Sequence, residues 1–201
     1  CRCFRMPSRV RRRAGRAPPV SCKPNPPEER VGVAAKPHRQ HVGLVYHPPA
    51  VRDGRAGVQD EGSQLVTLAF AAVPVDGSDE RWLDMCAGPG GKAALLAALA
   101  GEQGARLVAN EVAPRRARLV ENALAALPAD AVEAVVVGDG RRFGEEQPGA
   151  FDRVLLDAPC TGLGALRRRP EARWRREPSD VPALAALQRE LLRSALDTVR
   201  L

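Results

Sequence analysis

Asp84-Met85-Cys86-Ala87-Gly88-Pro89-Gly90-Gly91-Lys92 is the stretch on which the fold turns. The apolar pair Trp82-Leu83 leads into it, and the apolar run 93–100 leads out. An extended segment that turns through small residues into a helix start leaves a nucleotide-sized hollow, faced by backbone N–H groups. Gly88, Gly90 and Gly91 keep side chains out of that hollow.

Outward from this loop, strand-like and helical patterns alternate. Residues 81–86 read as a first strand, 91–100 as a helix closed by Gly101, and 106–111 as a second strand. Pro114 sits where a helix starts without losing a hydrogen bond, and Leu119, Val120, Ala123, Leu124 and Leu127 follow at helical spacing. Residues 134–138 and 151–157 read as strands three and four. Residues 180–199 form a long amphipathic pattern with Val181, Leu184, Leu187, Leu191, Leu192, Leu196 and Val199 on one face. Ahead of the first strand, Ser63 is the expected N-cap of a helix over 65–72. This βαβαβ order predicts an α/β fold with a doubly wound, mostly parallel sheet.

The net charge of +7 on 201 residues is unevenly spread. Residues 1–40 hold eleven Lys/Arg against Glu28 and Glu29, a balance of +9, so the remaining 161 residues sum to −2. Residues 1–50, rich in Pro and Arg, read as a basic tail that is disordered or extended, and 51–201 as the folded domain. His38, His41 and His47 lack a second ligand pair at suitable spacing, so no metal is expected. Of five cysteines, Cys1, Cys3 and Cys22 lie in the tail and Cys86 and Cys160 follow predicted strands. That is no disulfide framework, and a reducing cytoplasm suits it. The longest apolar run, 93–100, falls far short of the roughly 20 residues that span a membrane. The chain opens on Cys1 and stops at Leu201 inside a helical pattern, so a fragment is the expectation.

Three nucleotide ligands compete for the loop. A phosphate-binding G-x-x-x-x-G-K-[ST] needs glycine where Cys86 stands and a hydroxyl where Ala93 stands, so it fails. A dinucleotide G-x-G-x-x-G/A is met weakly, with Ala93 third. S-adenosylmethionine needs an acid at the end of strand two for the ribose hydroxyls and another after strand three near the adenine. Glu111 and Asp139 stand there. A carboxylate accepts from both hydroxyls of a diol at once. Glu111 also reads as an acid complementing a helix dipole, and Asp139, between Gly138 and Gly140, as a turn residue.

The second motif is Asp157-Ala158-Pro159-Cys160-Thr161-Gly162-Leu163-Gly164 after strand four. It sets a carboxylate, a proline and a thiol at the edge where open α/β sheets bind ligands. Together the two motifs resemble the RNA (cytosine-C5) methyltransferases of the bacterial RsmB-like or Sun type. Gly57-Val58-Gln59-Asp60 through Leu65, Asn110-Glu111, Gly138-Asp139 and Arg169-Pro170-Glu171 to Trp174 extend the resemblance from about Gly57 to the end.

The resemblance implies a Rossmann-like methyltransferase fold whose C-terminal strands are missing here. It implies methyl transfer from S-adenosylmethionine to carbon 5 of a cytosine in 16S rRNA. Cys86, Ala87, Gly88, Pro89, Gly90, Gly91, Lys92, Glu111, Asp139 and Asp157 would line the cofactor site. Carbon 5 is a poor nucleophile until a thiolate adds to carbon 6, and an acid near ring nitrogen 3 stabilises that adduct. The base must be unpaired or extruded. By resemblance Asp157 contacts the cytosine, while Cys160 assists product release. The attacking cysteine belongs to a later motif, and none follows Cys160, so little or no turnover is expected of these residues alone. Attack by the Pro159-Cys160 thiol, in the manner of DNA cytosine methyltransferases, is the alternative. Other readings are a non-catalytic cofactor- or RNA-binding fragment, or an NAD-type oxidoreductase. RNA is the expected partner, with neither membrane nor metal, and a monomer the expected state. Arg167, Arg168, Arg169, Arg173, Arg175 and Arg176 read as phosphate contacts or as a solvated loop, and Trp174 as a stacking platform or a core residue.

Overall fold

The computed structural model describes residues 2–5, 49–52, 56–166 and 170–200. Most of the tail, its three histidines and Arg167, Arg168 and Arg169 lie outside the described residues. Strand β1, Arg2–Arg5, pairs antiparallel with β2, Ala56–Gln59, and the short helix α1 is Pro49–Arg52.

Four strands build the main sheet: β3 Arg81–Asp84, β4 Arg106–Asn110, β5 Val132–Val136 and β6 Arg153–Leu155. Their order is β5-β4-β3-β6 and every pairing is parallel. Alternate residues serve opposite faces. Trp82, Leu107, Ala109 and Leu155 join one core with helices α2 (Glu61–Ala71), α3 (Gly91–Gln103) and α4 (Pro114–Leu124). Leu83, Met85 and Val108 join a second with α5 (Phe143–Glu146) and α6 (Asp180–Thr198). Strands covered on both faces must be apolar throughout, which is why Trp82-Leu83 and 107–109 read as unbroken runs.

The chain runs outward from β3 to β4 and β5, then returns to lay β6 on the other side of β3. Where the winding reverses, the crossovers leave to opposite faces and a crevice opens at the carboxyl ends of the strands. The loops after β3 and β6 flank that crevice.

Several boundaries differ from the sequence reading. Helix α3 runs through Gly101 and ends on Gly104, whose φ of +81° suits a glycine. Gly101 is small for packing, since a Cβ there would stand 2.9 Å from that of Ala131. Ser63 lies inside α2, whose N-cap is Asp60. Strand β5 starts earlier than expected, at Val132. Strand β6 is short, and Phe151 instead forms an isolated parallel bridge with Val199. Helix α6 ends at Thr198, and Val199 is already extended. On α6 the sheet-facing seam is Leu191, Ser194, Ala195 and Thr198, while Val181, Leu192 and Leu196 are exposed. The apolar stripe is wider than the strip that meets the sheet.

An ion pair locks the amino end of β6. The buried Arg153 guanidinium forks onto Asp79 at 2.7–3.0 Å, donates to the Phe70 carbonyl and lies 5.0 Å from the Trp82 ring centroid. Arg153 holds the Asp79 carboxyl below its ordinary value. Among the described residues, no helix is long and apolar enough to cross a membrane.

Candidate functional site

The loop after β3 is pinned to both neighbouring strands. Met85 N–H donates to the Leu155 carbonyl at 3.0 Å and Ala87 N–H to that of Asn110 at 2.8 Å. The Asn110 amide returns a bond to the Met85 carbonyl at 3.0 Å. Gly90, with φ +107°, turns the chain into α3 against Ala123 of α4.

Glu111 follows β4 and is buried. One carboxylate oxygen accepts from Ala113 N–H at 3.0 Å; the other faces the loop and pairs with Arg116 at 3.4 Å. A Cβ on Gly88 would lie 2.1 Å from that second oxygen, so the loop and the acid meet only because residue 88 is glycine. One oxygen of Glu111 thus sits in the helix-start turn and the other at the loop.

Asp139 takes its turn role. It caps the turn Gly140–Arg142 and is gripped by the Arg141 guanidinium, which also reaches Glu190 of α6 at 2.9 Å. That guanidinium holds the Asp139 carboxyl below its ordinary value. A cleft of about 520 Å³ opens beside Asp139, lined also by Arg142, Arg193 and Asp197, and its lining does not include the glycine loop.

Lys92, one residue into α3, bridges the two motifs. Its ammonium stands 2.6 Å from Asp157 and donates to Ser63 Oγ at 3.4 Å. Ser63 Oγ also accepts from the Gln59 amide at 3.1 Å. A cation at a helix start opposes the helix dipole, and the Asp157 carboxylate offsets that. Cys160 is exposed, and its loop is held by Gln188 of α6, which donates to the Pro159 carbonyl at 2.8 Å.

Two groups beneath the loop are shifted. Asp84 is fully buried; no side chain donates to its carboxylate, and the Cys86 backbone N–H faces it without a well-formed bond. Burial, against a partial offset from Lys92, pushes it up to about 7; Asp157 and Glu111 reinforce the rise. The Cys86 thiol is pushed up to about 12 by burial and then by Asp84, Glu111 and Asp157, so it is not a thiolate near neutrality. Trp174 is 82% exposed, which excludes the core reading, with the Arg173 guanidinium 5.8 Å from its ring centroid. No group of three His, Cys, Asp or Glu among the described residues is placed to hold a metal ion.

Sequence reasoning named Lys92 and Asp157 separately and missed what ties them to α2. It quoted Asp84 without a role and passed over Arg116 among the arginines of α4.

A parallel sheet whose reversal carries a glycine loop on one side and an acid-proline-cysteine loop on the other defines a Rossmann-like methyltransferase fold. The chain belongs to the 16S rRNA methyltransferase RsmB/F family, whose profile matches residues 73–201. It is 60% identical over 150 residues to the methyltransferase-designated Rv1407 of Mycobacterium tuberculosis, covering 75% of this chain and 32% of that one. Against ribosomal RNA small subunit methyltransferase B of Serratia proteamaculans it is 37% identical over 177 residues, covering 82% and 38%. Among solved structures it is similar to NSun6 from Pyrococcus horikoshii with SFG, at 28% identity and a TM-score of 0.64, covering 79% of this chain and 39% of that one. The chain thus spans about a third of the length of the curated relatives it matches.

Proposed function

We propose that this chain supplies the cofactor-binding part of an enzyme that methylates carbon 5 of a cytosine in 16S rRNA. Residues 51–201 are its methyltransferase domain, in part, and 1–50 a basic tail. The observation that carries the reading is the Lys92–Asp157 pair, which joins the glycine loop to the acid-proline-cysteine loop at the sheet's reversal. S-adenosylmethionine suits the residues present. Gly88 leaves a cradle that a Cβ would fill, and the buried Glu111 presents a carboxylate oxygen to it. The loop of Cys86, Ala87, Gly88, Pro89, Gly90, Gly91 and Lys92 would hold this cofactor with Glu111, Asp139 and Asp157. When bound, it supplies an electrophilic methyl group.

The chain's own residues then divide the work. Asp157, which pairs with the Lys92 ammonium, would hydrogen-bond an extruded cytosine. Lys92 keeps that carboxylate oriented and screens it from Asp84 and Glu111. Cys160, exposed on the same loop, assists departure of the product. RNA is the partner that Arg173, Arg175 and Arg176 around the exposed Trp174 favour, since arginines meet phosphate and an open indole stacks on a base. We place the chain in a reducing cytoplasm, as a monomer.

Calorimetry tests the cofactor. S-adenosylmethionine is expected to bind and NAD is not; binding of NAD alone would sink the reading. Transfer of labelled methyl groups to unmodified 16S rRNA is expected only where a second cysteine supplies the attack on carbon 6. Robust transfer by the 201 residues alone would assign that attack to Cys160. Trp174→Ala is expected to weaken binding of a single-stranded RNA about tenfold and to leave cofactor binding unchanged. An unchanged RNA affinity would remove Trp174 from the RNA surface.

A further inference from the structure

Arg116 does something its position does not call for. It sits in the first turn of α4, where the helix dipole disfavours a cation. Its side chain is half exposed, so burial does not hold it there. Instead the guanidinium reaches back to the glycine loop and donates to the Gly88 carbonyl at 2.6 Å. The same nitrogen lies 3.4 Å from the inward oxygen of Glu111. A Cβ on Gly88 would stand 2.9 Å from two of the guanidinium nitrogens, so the three groups touch at one point.

The two contacts have different consequences. The bond to the Gly88 carbonyl fixes the loop, which any ligand of the loop would need. The ion pair fixes one oxygen of Glu111, whose other oxygen is already held by Ala113 N–H. A buried carboxylate held by a hydrogen bond at one oxygen and an ion pair at the other has little freedom to turn, and it keeps lone pairs free to accept from a ligand. Such a group discriminates strongly between a ligand that offers hydroxyl donors there and one that does not.

We propose that Arg116 is a positioning residue that sets recognition of the cofactor's ribose hydroxyls, acting through Glu111. The proposal rests on the S-adenosylmethionine reading above. It predicts a loss of selectivity and not merely of affinity.

The test is calorimetry with S-adenosylhomocysteine and its 2′-deoxy analogue on the parent chain, Arg116→Ala and Arg116→Lys, with thermal midpoints confirming that each variant folds. The parent is expected to prefer the hydroxylated ligand by at least about tenfold. In Arg116→Ala that preference collapses: both ligands lose what the Gly88 carbonyl contact supplies, and the hydroxylated ligand loses about tenfold more than the deoxy analogue. Arg116→Lys keeps the charge without the planar fork and recovers only part of the preference. An equal loss for both ligands, or an unchanged preference, overturns the role of Arg116 and leaves the cofactor reading standing. Failure of the parent to bind either ligand overturns the cofactor reading, and the role of Arg116 with it.

Discussion

Gly88→Ala is expected to abolish cofactor binding while leaving the fold intact. The added methyl group would meet Glu111 Oε2 at 2.1 Å and two Arg116 nitrogens at 2.9 Å. Those atoms are the far ends of side chains, and Gly88 is not among the glycines with positive φ, so alanine fits its backbone. The chain therefore folds by displacing Glu111 and Arg116, the groups the proposed cofactor site needs in place. A drop of about 100-fold or more in affinity follows from losing a buried, charge-assisted acceptor, with little change in thermal midpoint. Gly90→Ala should act first on the fold. There φ is +107°, and the Cβ would stand 2.7 Å from Ala123 Cβ and 3.1 Å from the Val120 backbone. Neither the strained backbone nor the packed helix can yield, and a loss of roughly 2–4 kcal/mol in stability is expected. Calorimetry and thermal denaturation on the two variants separate the binding glycine from the folding glycine. Undiminished cofactor binding by Gly88→Ala would show that Glu111 is not part of the site.

Asp84→Asn is expected to gain stability over the parent as pH rises. Unfolded, this carboxyl ionises near 3.8; in the fold burial pushes it up to about 7. Between those values the folded state keeps a proton that the unfolded state has lost, so the contribution of Asp84 to stability falls with rising pH. It is fully present below 3.8 and gone above about 7. The asparagine carries no such charge. Its stability relative to the parent should therefore climb by on the order of 2–3 kcal/mol between about pH 5 and about pH 8.5. Asp79, Glu133 and Asp139, whose carboxyls are held low by Arg153, Arg81 and Arg141, lose stability as pH falls. They do so in both proteins and cancel in the difference. Denaturant titrations of the pair across pH provide the measurement. A difference that does not vary with pH would mean that Asp84 ionises in the fold as it does in the open chain.

What the sequence made legible was what nearest neighbours in the chain decide. Strands β3 and β4 are covered on both faces, so their apolar runs stood out, and the small residues of 84–92 could be read as a turn into a helix. Glu111, Asp139, Lys92 and Asp157 could be named because each follows a strand at the carboxyl edge of the sheet. Contacts made across the sheet were not legible. Gly101 looked like a stop signal because nothing local reveals Ala131 pressed against it. Ser63 looked like a cap because the ammonium it meets arrives from 29 residues further on. The apolar stripe of α6 could be drawn, yet which edge of it meets the sheet depends on where Phe143 and Phe151 lie. The orphaned oxygens of Asp84 belong to the same class, since burial is a property of the assembled fold.

Helix α2 packs on α3 through the first core, and Ser63 adds a polar pin to that packing. Greasy surfaces tolerate sliding, whereas a hydrogen bond to an ammonium does not. Each residue of α2 turns the helix by about 100°, so an extra residue between Ser63 and Ala71 would swing the hydroxyl away from Lys92, and one between Gln59 and Ser63 would break the Gln59 link. The connection after α2, residues 72–80, bears no such constraint on phase before the Asp79 anchor. The segment ahead of the sheet is thus indexed to the Lys92–Asp157 pair like a key cut to one notch. Length changes should be tolerated behind the notch and not within it.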